Sequence, residues 1–147
     1  MHACDNLPRL RTHTAVIARH TARILEQFLT GLAPAFPAVR QAFPLESKTQ
    51  RFQACCQVAY VAKNFGRIEA IEPWLRAMGH SLAERGFGPQ HGPPARASML
   101  RALRSCSGAN WSPEIESDWR EALDRVFSIL ESAMPAAATQ APLRAAA

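Results

Sequence analysis

The 147-residue sequence contains no apolar run approaching the length of about 18 residues that a transmembrane helix requires. Its N-terminus, MHACDNLPRLRT, lacks the apolar segment of a signal peptide. No window alternates apolar and polar residues as a half-buried strand does. We therefore expect a helical protein that does not associate with a membrane and that resides in the cytoplasm.

Common motifs of catalysis and nucleic-acid binding are missing as well. No Ser/His/Asp or Cys/His combination can be placed together, and the chain has no glycine-rich phosphate loop. The net charge is +5, but the arginines are spread along the chain without a basic block interleaved with aromatic residues. These absences predict a protein that is not an enzyme and that does not bind nucleic acid.

Cysteine and histidine give little sign of a metal site or a disulfide framework. Cys55 and Cys56 are adjacent within a helical pattern, and we interpret them as buried small apolar residues. His13 and His20 lie on either side of an expected break between the first two helices. We interpret both as surface residues.

Helical periodicity dominates what the sequence does contain. Apolar residues recur at three- and four-residue steps, Ser47 and Ser112 are placed to cap long helices, and prolines interrupt the segment between residues 34 and 44. We predict an all-α domain of six to seven helices over residues 1–134, followed by a loose Ala/Pro-rich tail at 135–147. The residues expected to be buried are Phe28, Phe43, Leu75, Met78, Leu82, Leu103 and Trp119. The helix after Ser47 is expected to carry Phe52, Cys55, Cys56, Ala59 and Phe65 as its apolar positions.

Three segments resemble bacterial single-domain globins and the globin part of flavohemoglobins. FLTGLAPAFPAVRQAF, residues 28–43, resembles the corner after the second helix of that family. GFGPQH resembles the turn before the seventh helix, and NWSPEIESDWREAL resembles the start of the last helix. The resemblance covers about residues 7–134 and implies a globin-like fold with a pocket for heme b.

The same resemblance implies roles for particular residues. Phe43 falls on the phenylalanine that packs against the porphyrin, Gln50 on the distal residue that faces a bound gas, and Leu29 on the distal tyrosine. Met78 falls within the heme pocket. Binding of oxygen or nitric oxide would follow, and we expect any nitric oxide dioxygenase chemistry to need a separate reductase.

The iron ligand is where the sequence departs from the family. The proximal histidine lies four residues before the Gly-apolar pair that is Gly86–Phe87 here, and this position is Leu82. His80 is two residues away, which is about 200° around a helix, and it shares a polar face with Arg76. His80 is therefore only an alternative axial ligand, while Leu82 occupies the position of the family ligand.

The residues that support the proximal histidine have changed as well. The family's proximal tyrosine falls on Gly92, and its proximal glutamate falls near Met134, with Glu131 one turn earlier. Two hypotheses remain open. One is a heme globin that binds oxygen or nitric oxide through another ligand. The other is a heme-free globin-fold module with a sensory, apolar-ligand-binding or protein-interaction role.

Overall fold

The computed structural model describes residues 7–135, and within them seven α-helices are joined by turns and short 3-10 segments. The helices are α1 (Leu7–Ala18), α2 (Thr21–Leu32), α3 (Val39–Ala42), α4 (Lys48–Lys63), α5 (Glu72–Glu84), α6 (Gly92–Ser107) and α7 (Pro113–Ser132). Over this part of the chain there is no strand, which confirms the predicted all-α class. None of the described helices is long and apolar enough to cross a bilayer. Residues 136–147 of the predicted tail lie outside the described residues.

Both predicted serine caps are present. The Ser47 hydroxyl accepts a hydrogen bond of 3.0 Å from the Gln50 N–H at the start of α4, and the Ser112 hydroxyl accepts one of 3.2 Å from the Ile115 N–H at the start of α7. Each bond satisfies a backbone donor that has no partner within its helix. Pro113 and Glu114 complete the α7 start, because proline needs no N–H donor there and a carboxylate favours the positive end of the helix dipole.

A close helix crossing joins α2 to α6. Gly31 on α2 has no side chain, and a Cβ at this position would overlap the Ser98 hydroxyl on α6. That hydroxyl is buried and donates a hydrogen bond of 2.7 Å to the Phe28 carbonyl. The missing side chain therefore lets the two helices approach until one hydroxyl bridges them.

A second close crossing joins α5 to α7. A Cβ at Gly79 would lie 2.5 Å from the Leu130 carbonyl oxygen and 3.0 Å from the Ala133 Cβ. The first distance is too short for a real Cβ contact and the second is unusually tight, so the crossing depends on glycine. This contact also fixes the rotation of α5, which decides which of its side chains face the interior.

The expected core is confirmed. Phe28, Leu75, Leu82, Leu103 and Trp119 are buried. Phe43 and Met78 are half-buried and pack against the same cluster. Burial of side chains of this size stabilises the fold by roughly 1.5–3 kcal/mol each.

Helix α4 departs from this pattern, because none of its side chains is fully buried. Phe52 is 70% exposed and Cys56 is exposed, so the predicted inward orientation is wrong for both; the side chain of Phe65 lies outside the described residues. Apolar residues occur on every face of α4, so the sequence pattern does not select one face. The side chains that do pack towards the core are Ala54, Cys55, Val58, Val61 and Ala62.

We predict that Gly79→Ala destabilises the protein by about 1–3 kcal/mol, because the new methyl group overlaps the α7 backbone. Intrinsic helix preference favours alanine over glycine by up to about 1 kcal/mol, so a net loss identifies the crossing as the cause. The measurement is the free energy of unfolding in urea. His80→Ala, one residue further along on the exposed face, is the control and should stay within about 0.5 kcal/mol of wild type. A Gly79→Ala variant as stable as the control would contradict the proposed tight crossing.

Candidate functional site

A cavity of about 390 Å³ lies between α4 on one side and α5, α6 and α7 on the other. Its size falls in the usual range for small-molecule sites, roughly 300–1,000 Å³. Nearly all of its lining is aliphatic or aromatic. The apolar residues that line it include Phe28, Phe43, Val58, Val61, Trp74, Met78, Leu82, Phe87, Met99, Leu103, Trp119, Leu123 and Phe127.

Three of the residues selected from the sequence reach this cavity. Phe43 lies after α3, while Met78 and Leu82 project from α5. Leu29 does not line the cavity, since it is completely buried in the core. Its neighbour Phe28 reaches the cavity from α2 instead. The position assigned to a distal hydrogen-bond donor is therefore buried away from the cavity, and the position before it presents an apolar ring.

Gln50 is not at the cavity either, so its assignment as the distal residue does not match the structure. Its side-chain oxygen accepts hydrogen bonds of 3.0 Å from the backbone N–H groups of both Glu46 and Ser47. This arrangement is a capping box, in which the third residue of a helix binds back to the residues before the helix. The side chain is therefore committed to the start of α4.

His80 is exposed and does not line the cavity, so it is not placed to act as an axial ligand. Positions 80 and 82 are about 200° apart around the helix, so their side chains point in nearly opposite directions. The crossing at Gly79 determines which of the two faces the interior. Leu82 faces the cavity and is buried. The position expected for the family's imidazole therefore carries an isobutyl group.

The residues present do not fit a histidine-ligated heme. Of the described residues, no histidine, cysteine, aspartate or glutamate lines the cavity, and no group of three such residues is placed to hold a metal. The thioethers of Met78 and Met99 are the side chains on the lining that resemble known axial ligands. Both are weak, neutral donors, and among the described residues the lining carries no carboxylate to support either one.

A carboxylate and a guanidinium pair in the region that the resemblance assigns to the support of the proximal histidine. The Glu131 carboxylate lies directly against the Gly92 backbone, in the space that a side chain at position 92 would need. It is held by Arg96, whose Nη1 donates a hydrogen bond of 2.8 Å to Oε2 of Glu131. Met134 is buried in the core and carries no charge. Glu131 is therefore the carboxylate nearest to Gly92, and its partner is a guanidinium rather than a phenol.

Three polar residues on the lining were missed in the sequence analysis, namely Gln57, Ser81 and Arg85. Ser81 and Arg85 follow Ala77 at four-residue steps, so they continue one face of α5 and its C-terminal end. The helical period alone could have placed them beside Leu82, because residues three or four apart share a face. Gln57 lies across the cavity on α4.

His13 is another residue whose interpretation changes, because it is buried rather than on the surface. Its Nδ1 accepts a hydrogen bond of 2.8 Å from the Trp119 indole N–H, which joins α1 to α7. Its Nε2 is buried without a hydrogen-bond partner in the described structure. Burial lowers the pKa of His13, because the charged imidazolium is poorly solvated there. Trp119 lines the cavity, so this bond supports the cavity wall.

The helix order and the cavity between α4 and α5 define a globin fold. A bacterial globin from Campylobacter jejuni superposes with a TM-score of 0.72 at 14% sequence identity, covering 88% of this chain and 94% of that one. The predicted resemblance to the globin superfamily is thereby confirmed at the level of the fold. No protein-family model matches the sequence.

Sequence relatives of this chain include plant proteins named anaerobic nitrite reductases. The protein of Oryza sativa subsp. indica is 26% identical over 112 residues, which are 69% of this chain and 74% of the relative. That of Gossypium hirsutum is 22% identical over 82% of this chain and 83% of the relative. For the protein of Casuarina glauca, at 24% identity, the match spans about half of each chain, 56% and 52%.

These names overturn one expectation from the sequence. The absence of catalytic motifs predicted that the chain is not an enzyme, and relatives named for a reductase activity contradict that prediction. A search for side-chain constellations does not detect every class of enzyme, for a physical reason. Where the reactive atom belongs to a cofactor, the protein needs no catalytic motif of its own.

We predict that stability falls as the pH drops below about 6.5, the ordinary pKa of histidine. His13 has a lowered pKa in the folded protein, so the unfolded chain takes up the proton first. The free energy of unfolding begins to fall as the pH drops below the pKa of His13 in the unfolded chain. It levels off below the pKa of His13 in the folded protein. Urea unfolding between about pH 7.5 and pH 5 measures it.

The matched variant is His13→Gln, which does not titrate and retains an acceptor for the Trp119 N–H. Its free energy of unfolding should depend less on pH than that of wild type. Burial also lowers the pKa of His91, which contributes a shared background of the same sign in both proteins. Equal pH dependence in the two proteins would show that His13 does not stay neutral in the fold.

Proposed function

We propose that this chain is a globin-fold binding protein whose cavity holds an apolar ligand. The observation that carries the proposal is the lining, which is apolar apart from Gln57, Ser81 and Arg85. Apolar cavities of even ~150 Å³ stay dry and take up apolar molecules, and this one is larger. A bound ligand would provide the van der Waals contacts that the lining side chains lack when the cavity is empty.

The packing of α4 supports the same proposal. Its inner face consists of Ala54, Val58, Val61 and Ala62, which line the cavity and are only half-buried. A bound apolar molecule would cover these side chains and supply the burial that α4 lacks. Ligand binding would then stabilise the folded state in proportion to the logarithm of ligand concentration.

A heme globin that binds oxygen or nitric oxide, with a nitrite reductase activity like that named for the plant relatives, is the second candidate. It is favoured by the sequence similarity to those relatives and by the globin fold. The cofactor would supply the redox chemistry, and Met78 or Met99 would have to replace the missing imidazole. The test is whether hemin-loaded, reduced protein consumes nitrite faster than free hemin does.

The neutral fluorophore N-phenyl-1-naphthylamine provides a direct test of the cavity. We predict saturable binding with increased emission, and we predict that Ala62→Phe weakens it by about tenfold or more, equivalent to about 1.4 kcal/mol. The reason is that Ala62 lines the cavity and a phenyl ring would fill it. Ala59→Phe is the matched control on the same helix, because Ala59 is half-buried but does not line the cavity. Equal binding by both variants would place the fluorophore elsewhere and remove the support for this proposal.

Introducing a histidine at position 82, where the resemblance places the iron ligand of the family, tests the heme candidate. We predict that Leu82→His raises hemin affinity and shifts the ferrous spectrum towards a five-coordinate, imidazole-bound form, because Leu82 faces the cavity. Without heme, the buried polar ring should cost roughly 1–3 kcal/mol of stability. Hemin titration followed by absorbance compares wild type, Leu82→His and His80→Ala. Tight binding by wild type that His80→Ala abolishes would mean that His80 is the iron ligand after all.

A further inference from the structure

Arg85 is the only charged residue that lines the cavity in the described structure. It follows the last residue of α5 and is exposed, so it lies where the apolar space meets solvent. Ser81 lies one turn earlier on the same helix and also lines the cavity. A cation and a hydroxyl therefore stand together at the edge of an otherwise apolar space.

The guanidinium of Arg85 is largely uncommitted. Its Nη1 donates one long hydrogen bond of 3.3 Å to the Ala42 carbonyl, and no carboxylate among the described residues pairs with it. Several other arginines of the fold are paired with carboxylates. Arg76 and Arg96 each contact a glutamate at 2.8 Å, and Arg125 contacts one at 2.6 Å. A guanidinium carries five N–H donors, so Arg85 retains most of them for an external acceptor.

We infer that the ligand of this cavity is an apolar molecule that carries a carboxylate, with its apolar body between α4 and α5 and its carboxylate on Arg85. This inference rests on the proposed binding function and specifies the chemical class of the ligand. Guanidinium and carboxylate match in geometry, and two parallel hydrogen bonds fix the orientation of the bound molecule. Recognition through the carboxylate requires no metal ion in the ligand.

Two sources offer this chemistry: an acyl chain with a terminal carboxylate, and a porphyrin with propionate groups. The probes are dodecanoate, 1-dodecanol, hemin and iron-free protoporphyrin IX, each measured by displacement of N-phenyl-1-naphthylamine. The proteins are wild type, Arg85→Gln, Arg85→Lys and Arg51→Gln. Arg51 is the matched control, since it is exposed, donates to the carbonyls of Leu45 and Glu46, and does not line the cavity.

Wild type should bind dodecanoate about tenfold more tightly than 1-dodecanol, because a hydrogen-bonded charge pair contributes that much at a partly exposed site. Arg85→Gln should remove this preference and leave the affinity for 1-dodecanol unchanged. Arg85→Lys should restore part of it, and Arg51→Gln should change neither affinity. Unchanged fluorophore binding by Arg85→Gln shows that the variant has folded.

The results distinguish failure of the proposed binding function from failure of the carboxylate inference. If no probe binds, including the neutral fluorophore and the alcohol, the proposed binding function fails. If the alcohol binds as well as the acid, or if Arg85→Gln weakens both equally, the carboxylate inference fails and the binding function stands. Porphyrin displacement that depends on Arg85 but not on iron assigns the carboxylate to a propionate, whereas displacement by dodecanoate alone assigns it to an acyl chain. Hemin binding at least about tenfold tighter than iron-free porphyrin would show that iron ligation drives recognition, and would overturn the inference.

Discussion

The contact between Gly79 and the Leu130 carbonyl fixes the rotation of α5, and the site depends on that rotation. Helix α5 has apolar residues on one face and charged residues on the other, and the crossing with α7 holds the apolar face towards the cavity. With this orientation Leu82 is buried on the lining and His80 is exposed. A turn of α5 that brought the imidazole inwards would separate Gly79 from α7 and expose Leu82. The chain cannot ligate iron through His80 while it keeps this crossing.

Helix α4, which lies opposite α5, is held in place by other contacts. It is held by its capping box, by contacts with α1 and α2, and by the Tyr60 ring, which packs edge-on against Trp74 at 4.8 Å between ring centroids. None of its side chains is fully buried, so burial contributes less to the stability of α4 than to that of the helices opposite it. Helices with few buried apolar contacts open more easily than the core. The wall formed by α5 and α7 is thus packed into the core and the α4 wall is less well anchored, which suits the proposed ligand-binding site.

Much of the fold could be predicted from the sequence, because long periodic stripes and serine caps are local signals. Leu75, Leu103 and Trp119 fall inside for that reason, and the Ser47 and Ser112 caps form as predicted. The interpretation of His13 was wrong because burial of a polar ring depends on a partner 106 positions away, and spacing within one helix does not show this. Gln50 was assigned by resemblance, but the local capping bond determines its position. Arg85 went unnoticed because a charged residue at a helix end is typical of a solvated surface.

The chemistry of the cavity follows from several changes that act together. A heme globin stabilises its iron by a neutral imidazole and by polar groups that support it, and the positions that the resemblance assigns to those groups, Leu82, Gly92 and Met134, hold apolar side chains or a glycine here. Any single change would leave the other polar groups buried without partners, at a cost of about 1–3 kcal/mol each. Here the remaining carboxylate of Glu131 is satisfied by Arg96, and the lining carries no unpaired acidic group. The remaining source of polar specificity is the rim of the cavity, where Arg85 meets solvent. The proposed ligand would therefore be selected by the shape of the apolar cavity and by the charge of Arg85 at its rim.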